Sequence, residues 1–430
     1  MLTNISKLKI NSTKTIQGFV ENIRNKPNIC FLVIKDVTGL LQITILKEKN
    51  PRFNELLEKL TSQSVITVKG KLISNPNVKL NGVELVPEWI RIETIAHLPL
   101  PIDENSLLDQ RLDYRWLDLR STKNQLIYQI QSYMVMKMKE WLFKKGFIEI
   151  HTPELISAAS ESGSEVFAIE NYFGRKAYLA QSPQFYKQMA IAGGLEKVVV
   201  VQPVFRAENS KTAKHATEFT GFDLEFNGVK SCKDVMKLEE KLLTYMLSCV
   251  SKKYGQQIKD VFKKEVIVPT KAFPIMDLQD VYKELETKYG YTVSESEKGD
   301  INSEGERYVE KLAMEKYNSE FMFITGYSKE HRPFYHARNA KGQPDGYDLI
   351  WRGVEITSGA RREHRYEVLK KQAIEKGLEK DVQFYLEFFK YGCAPHGGFG
   401  VGLDRLTMLL LGITIKEVEF AYRGPERLNP

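Results

Sequence analysis

Val198-Val199-Val200-Val201 leads through Gln202-Pro203-Val204 into Phe205-Arg206-Ala207-Glu208, and Glu218-Phe219-Thr220-Gly221-Phe222-Asp223-Leu224-Glu225 follows. The first run is apolar and reads as a buried strand that ends in a fixed cation and a carboxylate. The second alternates, with Thr220, Phe222 and Leu224 on one side and Phe219, Gly221, Asp223 and Glu225 on the other. The loop between them carries Lys211, Lys214 and His215. This hairpin can hold a polyphosphate with its basic residues and stack a base on Phe219. Alone, it reads equally well as a solvated hairpin, so the rest of the chain has to decide.

The chain has 430 residues, enough for two or three domains. A hydrophobic fraction of 42% and a charged fraction of 27% are those of an ordinary globular protein. The 62 Lys and Arg against 55 Asp and Glu give +7, compatible with a polyanionic partner without requiring one. Cys30, Cys232, Cys249 and Cys393 form no C-x-x-C pair, which argues against a zinc site and a disulfide framework. Met1 to Lys14 has no signal-peptide core and no run approaches 18 apolar residues, so the expectation is a cytoplasmic protein without a membrane partner.

Upstream, residues 15–95 read as a small β-domain. Thr15–Ile23, Ile29–Lys35 and Leu40–Leu46 are strand-like, with Asp36-Val37-Thr38-Gly39 as a turn. Asn50-Pro51 starts a helix bearing Phe53, Leu56, Leu57 and Leu60, and Val65–Leu72 and Val83–Ile92 add two strands. The order β-β-β-α-β-β is that of an OB-fold, which commonly binds oligonucleotides; an SH3-like barrel stays open. Phe31, Val33 and Gln42 share the face opposite Leu32, Ile34, Leu41 and Ile43, where an aromatic and an amide suit base stacking and edge reading. His97–Asp103 reads as a linker and Asp109–Asp118 as a charged segment. Asn124–Lys145 reads as a long amphipathic helix with Ile127, Ile130, Met134, Met138 and Trp141 on one side, stopped by Gly146. A helix over Asp234–Ser251 and mixed strands beyond it predict α+β with an antiparallel sheet.

Three more segments join the hairpin. Gly146-Phe147-Ile148-Glu149-Ile150-His151-Thr152-Pro153 is a helix end, strand and proline. Gln181-Ser182-Pro183-Gln184-Phe185-Tyr186-Lys187-Gln188 opens a helix, and Gly397-Gly398-Phe399-Gly400-Val401-Gly402-Leu403-Asp404-Arg405 reads as a glycine-rich loop entering the apolar helix Leu406–Leu411. In this order, over essentially the whole chain, they resemble the three signature motifs of class II aminoacyl-tRNA synthetases. QSPQFYKQ, FRAE…HATEFTGFD, RGVEITSGARREH and PHGGFGVGLDR are most similar to the aspartyl enzymes of the short archaeal and eukaryotic type.

That resemblance implies an OB-fold anticodon-binding domain over 1–97, a hinge over 98–123 and, over 124–430, a class II catalytic domain whose antiparallel sheet is flanked by helices. The implied reaction activates L-aspartate with ATP and Mg²⁺ and transfers it to tRNA(Asp), with tRNA(Asn) left open, in a homodimer. Arg206 would hold the α-phosphate and the reacting carboxylate, Phe219 would stack on adenine, and Arg405 would clamp the γ-phosphate. Lys214 and His215 would lie near the outer phosphates. Ala207, Glu208, Ala216, Gly402, Leu403 and Asp404 complete the implied ATP site. Glu355 and Ser358 would hold Mg²⁺ against phosphate oxygens. Lys187 and Arg362 would take the side-chain carboxylate, with Glu161, Ser182, Gln184, Arg206, Asp223 and Ser358 around the rest of the amino acid. Arg24, Phe31 and Gln42 would read the anticodon. Two positions depart from the family pattern, with Lys214 where Arg is usual and Asp404 where Glu is usual.

The asparaginyl branch shares this architecture, but a neutral amide substrate would give a buried Lys187 no partner. An ATP-dependent asparagine synthetase would have no use for the N-terminal barrel. An inactive paralogue would not need the set Arg206, Glu355 and Arg405. A barrel that only binds nucleic acid leaves the C-terminal motifs unexplained.

Overall fold

A computed structural model describes residues 2–158, 166–210 and 212–430, and the chain separates into two compact units, Met1–Gln125 and Leu126–Pro430. In the first, Thr13–Asn25 (β1), Ile29–Asp36 (β2), Gly39–Leu46 (β3), Val65–Ser74 (β4) and Val83–Thr94 (β5) close a barrel in the order β1-β2-β3-β5-β4, with the helix Asn54–Lys59 (α1) between β3 and β4. This is the OB-type arrangement, and the SH3-like alternative falls away. Alternation builds it: Cys30, Leu32 and Ile34 of β2 and Leu41, Ile43 and Ile45 of β3 are buried inside, with Phe53 and Leu57 against them. The turn forms because Asp36 Oδ1 accepts from Thr38 N at 2.7 Å and Gly39 N at 3.1 Å. The charged segment folds into Leu108–Asp113 (α2) and Arg115–Asp118 (α3) around a buried carboxylate. Asp118 takes Arg111 at 2.8 Å and Arg115 at 2.5 Å.

The second unit is built on the helix Thr122–Phe143 (α4), which begins just before the unit boundary. Its buried stripe is Ile127, Ile130, Met134, Met138 and Leu142. Leu142 takes the place expected of Trp141, which is only partly buried, 6.5 Å from the Tyr245 ring. The strand expected over Phe147–Pro153 shortens to Ile148–Glu149 (β6). Ile150 N still donates to Val199 O at 3.0 Å, but Pro153 has no N–H to continue. Leu155–Ile156 (β7), Ala168–Tyr172 (β8) and Arg175–Leu179 (β9) form a small sheet, followed by the helix Gln184–Ala192 (α5).

The quoted hairpin is Lys197–Phe205 (β10) and Glu218–Asn227 (β11), paired antiparallel from Lys197↔Phe226 to Phe205↔Glu218. The helix after it, Cys232–Phe262 (α6), runs well past the expected Ser251, because Tyr254, Ile258 and Phe262 continue the stripe of Val250 at four-residue spacing. Then come Ile275–Asp277 (β12), Leu278–Tyr289 (α7), Ser303–Tyr317 (α8), Phe321–Thr325 (β13), Gly346–Trp351 (β14), Val354–Arg361 (β15), Tyr366–Glu375 (α9), Gln383–Lys390 (α10), His396–Gly402 (β16) and Leu403–Leu411 (α11). Among the described residues the large sheet has the order β12-β13-β14-β15-β16-β11-β10-β6. Its central strands are antiparallel as expected; the two edge pairs, β12–β13 and β10–β6, are parallel.

The expected glycine-rich loop is therefore a strand, hydrogen-bonded to both β11 and β15. Phe399 and Val401 face the core, packed with α4 and α6. Gly398 and Gly400 face the other way because nothing larger fits: a Cβ on Gly398 would lie 2.0 Å from Leu224 O, and one on Gly400 2.7 Å from Asp223 Oδ1. No helix among the described residues is long and apolar enough to cross a membrane.

Candidate active site

The sheet face away from α4 and α6 carries the polar residues. Gly400 pairs with both Asp223 and Ser358, and Ser358 with Asp348, so four strands bring their polar positions to one floor. Glu355 should point to the opposite side from Ser358, because the two lie three positions apart along a strand of period two. A bulge removes the conflict. Ile350 pairs with Glu355 but Leu349 with Thr357, so one extra residue on β15 turns Glu355 back to the floor while Ile356 stays in the core. A cavity of about 290 Å³ lies over this floor.

At one end sits a buried ion quartet. Lys187 Nζ, delivered by α5, is 2.7 Å from Asp223 Oδ1 and 3.6 Å from Glu225 Oε2. Arg362 Nε donates to Glu225 Oε1 at 3.1 Å and its Nη2 to Gln184 Oε1 at 3.2 Å and Gly398 O at 3.1 Å. Burial pushes the Glu225 carboxyl up, but Arg362 and Lys187 together hold it below the usual carboxylate range. Ser182 Oγ accepts from Gln184 N at 3.3 Å where α5 begins. Arg361, the neighbour with which Arg362 could be confused, points elsewhere, to Asp345 at 2.8 Å.

The structure corrects one expectation here. Lys187 does have a partner in the absence of any substrate, because Asp223 supplies it. Asp223 in turn holds Lys187 through Oδ1.

The other end is built from the hairpin loop, β15 and α11. Arg206 stands at the end of β10 with its guanidinium carbon 5.8 Å from the Phe219 ring centre and Nη1 3.8 Å from Glu208 Oε1; its buried Nε has no hydrogen-bond partner among the described residues. Arg405 Nε donates to Lys214 O at 3.3 Å and Nη1 to Glu355 O at 3.1 Å, tying loop and strand together. Lys214 Nζ meets Glu306 Oε2 at 2.5 Å. His215 Nδ1 bonds the hydroxyls of Ser210, at 3.0 Å, and Thr212. Burial, with Arg405 and Lys214 nearby, pushes the His215 imidazole down to about 4, so it is neutral at pH 7.

Glu355 is pushed up to about 7, by burial and by the charge of Asp348, with Arg405 opposing and Glu306 adding to the rise. Asp348 is held by both Nη atoms of Arg332, whose Nη1 also reaches Ser358 Oγ at 3.1 Å and whose guanidinium lies 3.7 Å from the Tyr327 ring centre. Arg332, Asp348, Glu225 and Glu306 were not singled out from sequence. Glu225 stands on the quoted face of β11 beside Asp223 but was given no role, whereas Arg332, Asp348 and Glu306 lie outside the quoted segments, and only the pairing of β14 with β15 and the packing of α8 bring them in.

The cavity gathers Ser182, Gln184, Lys187, Arg206, Glu208, Lys214, His215, Ala216, Phe219, Asp223, Glu355, Ser358, Arg362, Gly402, Asp404 and Arg405. Ala207 does not line it, and Leu403 packs into the core instead, so neither side chain contributes a surface. Glu161 lies outside the described residues. Asp404 lines the wall but both its oxygens are used, Oδ1 by Gln131 Nε2 and Oδ2 by Thr220 N, each at 2.8 Å. It ties α4 and β11 to α11 rather than offering a free carboxylate.

Among the described residues no three His, Cys, Asp or Glu side chains converge to hold a metal alone. Glu355 and Ser358 nonetheless fit Mg²⁺, which takes hard oxygens from one or two protein groups and completes its shell with water and phosphate. Glu355 accepts no side-chain hydrogen bond among the described residues, and burial, with Asp348 and Glu306 nearby, raises its affinity for a proton, a cost that a bound cation would offset.

In the barrel, Arg24 lies opposite Phe31, its guanidinium carbon 4.9 Å from the ring centre, and Gln42 lies opposite Val33. The three occupy one face. Gln42 is nearly buried, its Nε2 held by Thr44 Oγ1 at 3.1 Å and Glu84 Oε2 at 3.5 Å.

Comparison with known proteins agrees with both units. Residues 108–421 match the family described as tRNA synthetases class II (D, K and N), and residues 14–92 the OB-fold nucleic acid binding domain. The chain is 39% identical over 425 residues to the aspartate–tRNA(Asp) ligase of Pyrococcus abyssi, covering 96% of this chain and 95% of that one. It is 38% identical over 426 residues to the aspartate–tRNA(Asp/Asn) ligase of Methanopyrus kandleri, with the same coverage. Its structure superposes on asparaginyl-tRNA synthetase from Pyrococcus horikoshii, complexed with asparaginyl-adenylate, with a TM-score of 0.90 at 30% identity over the full length of both.

Proposed function

Because the chain belongs to the class II tRNA synthetases that comprise the D, K and N enzymes, we propose that it is an aspartate–tRNA ligase. The carrying observation is the buried quartet of Lys187, Arg362, Asp223 and Glu225. Two cations buried at one end of the cavity suit a side-chain carboxylate, to which each would give a charge-assisted hydrogen bond. Asp223 and Glu225 set their spacing.

The reaction needs no protein nucleophile. The α-carboxylate of aspartate attacks the α-phosphorus of ATP, the bond to the bridging oxygen breaks and pyrophosphate leaves. A hydroxyl at the tRNA 3′ end then attacks the acyl carbon and AMP leaves. Positioning and charge stabilisation supply the catalysis. Arg206, whose Nε has no hydrogen-bond partner among the described residues, would hold the α-phosphate and the attacking carboxylate, Phe219 would stack on adenine, and Arg405 and Lys214 would meet the outer phosphates. A neutral His215 donates or accepts a hydrogen bond there without adding charge. Glu355 and Ser358 would hold Mg²⁺, which neutralises phosphate charge when bound. Arg24, Phe31 and Gln42 would read the anticodon, with residues 1–97 as the anticodon-binding domain, 98–123 the hinge and 124–430 the catalytic domain of a homodimer.

The test is ATP–pyrophosphate exchange with aspartate and with asparagine, followed by charging of purified tRNA(Asp) and tRNA(Asn). Exchange driven by aspartate and not asparagine is expected. Asparagine rivalling aspartate would move the chain to the asparaginyl branch, and the tRNA(Asn) arm decides how many tRNAs it charges.

A further inference from the structure

Lys214 and Glu306 come from segments 92 residues apart and meet at 2.5 Å. Lys214 belongs to the hairpin loop; Glu306 sits in the first turns of α8, beyond β12. Both are well removed from water, the side chains being 15% and 7% exposed. Only Lys214 lines the cavity, so the carboxylate stands behind the ammonium as seen from the ligand space. The main chain at Lys214 is fixed separately, its carbonyl taking Arg405 Nε at 3.3 Å.

A lysine here poses a physical problem. Its ammonium is a point charge on a flexible four-carbon stem, whereas an arginine's planar fork is organised before it binds. A lysine that is to hold phosphate without losing affinity to its own disorder needs something to hold it. Its three N–H donors allow this: one can be tied from behind while the others remain for an incoming anion. Resting on the reading of this pocket as a nucleotide site, we propose that Glu306 is a positioning residue for ATP, anchoring Lys214 so that its remaining donors face the outer phosphates. Lys214 and Glu306 then act as one unit that replaces an arginine at this position. The same anchor offsets the charge of Lys214 beside Arg405 when the site is empty.

The test is Mg·ATP affinity by equilibrium dialysis on the full-length protein. Glu306→Ala should raise the Kd roughly tenfold, the loss of one well-placed charged contact, about 1.4 kcal/mol. Lys214→Met should do the same, and the double variant should be no worse than either single one, because the two residues form one device. Lys214→Arg in the Glu306→Ala background should recover to within about threefold of wild type, since the fork needs no anchor. The isosteric Glu306→Gln keeps the shape and should fall between wild type and Glu306→Ala; it carries the test if the alanine variant loses its thermal transition. Equal or tighter binding by both Glu306 variants would overturn the proposal, as would losses that multiply in the double variant. Wild-type protein that binds ATP with these variant effects but shows no aspartate-dependent exchange would overturn the aspartate reading alone. Wild-type protein that does not bind ATP would overturn both.

Discussion

Lys187 Nζ lies between Asp223 Oδ1 and Glu225 Oε2, with Arg362 on the far side of Glu225. Read as sequence, Lys187 is a lone cation in a neutral segment, and asparagine would leave it uncompensated. The structure changes the energetics: two cations and two carboxylates balance before any substrate enters. Rejection of asparagine then rests on losing charge-assisted hydrogen bonds rather than on exposing bare buried charge, so discrimination should be smaller than an unpaired site would give. Lys187→Met should lower kcat/KM for aspartate by roughly 10- to 100-fold, the value of one or two such bonds, with Kd for ATP little changed. Exchange kinetics with varied aspartate check this, and an unchanged kcat/KM would make Lys187 a purely structural partner of Asp223. Some loss of thermal stability should accompany the variant, because Asp223 and Glu225 are left with a single cation.

Among elements, β16 shows how a sheet can be both framework and cavity wall. Its alternate glycines face different neighbours: at Gly398 a Cβ would meet the Leu224 carbonyl oxygen, which belongs to the backbone, and at Gly400 it would meet the Asp223 carboxylate. Gly398→Ala should therefore cost the fold, lowering Tm or blocking soluble expression, because backbone has to move. Gly400→Ala should retain more of its Tm and instead raise KM for aspartate by displacing Asp223 from Lys187; equal damage to both properties in both variants would contradict this. On the core face, Tyr347 OH donates to Glu239 Oε2 at 2.6 Å, linking β14 to α6, and burial pushes the Glu239 carboxyl up to about 8. Its folded pKa lies above the unfolded value, so between about 4.5 and 8 the native state binds the extra proton and stability falls as pH rises, by up to about 1.4 kcal/mol per pH unit. Glu239→Gln should flatten that slope in denaturant melts from pH 5 to 8; parallel slopes would remove the assignment. These elements also mark what the sequence could reveal. The alternation of β11 and the stripe of α4 were legible because each is a local period. The strand nature of β16 was not, since glycine carries no strand signal and only its two neighbours impose the pairing. Nor was the shared face of Glu355 and Ser358, because the bulge at Ile356 arises from register with β14. Glu306 and Arg332 had no local signal at all; their place depends on helix packing and sheet order across distant segments.

At the scale of the whole molecule the two units carry different chemistry, and the separation can be tested from either side. The catalytic sheet ends at β6, a two-residue edge strand whose Ile148 is half exposed. An edge strand that exposes an apolar side chain is a ready partner for a second copy. Sedimentation at micromolar concentration should show a dimer, and a monomer there would exclude it. The barrel gives the sharper test. Phe31 lies on its outer face beneath the Arg24 guanidinium, partly exposed, while Leu32 and Ile34 on the inner face hold the fold. Phe31→Ala should leave the barrel core untouched, so a loss of tRNA binding would report on lost stacking rather than on unfolding. That loss should be about 1–3 kcal/mol per stacked base, seen as a raised KM for tRNA in aminoacylation. Among the described residues none from the barrel lines the cavity, so pyrophosphate exchange should be unaffected by the same substitution. If exchange fell along with tRNA affinity, the two units could not be independent in function, and the assignment of anticodon reading to one and activation to the other would have to be abandoned.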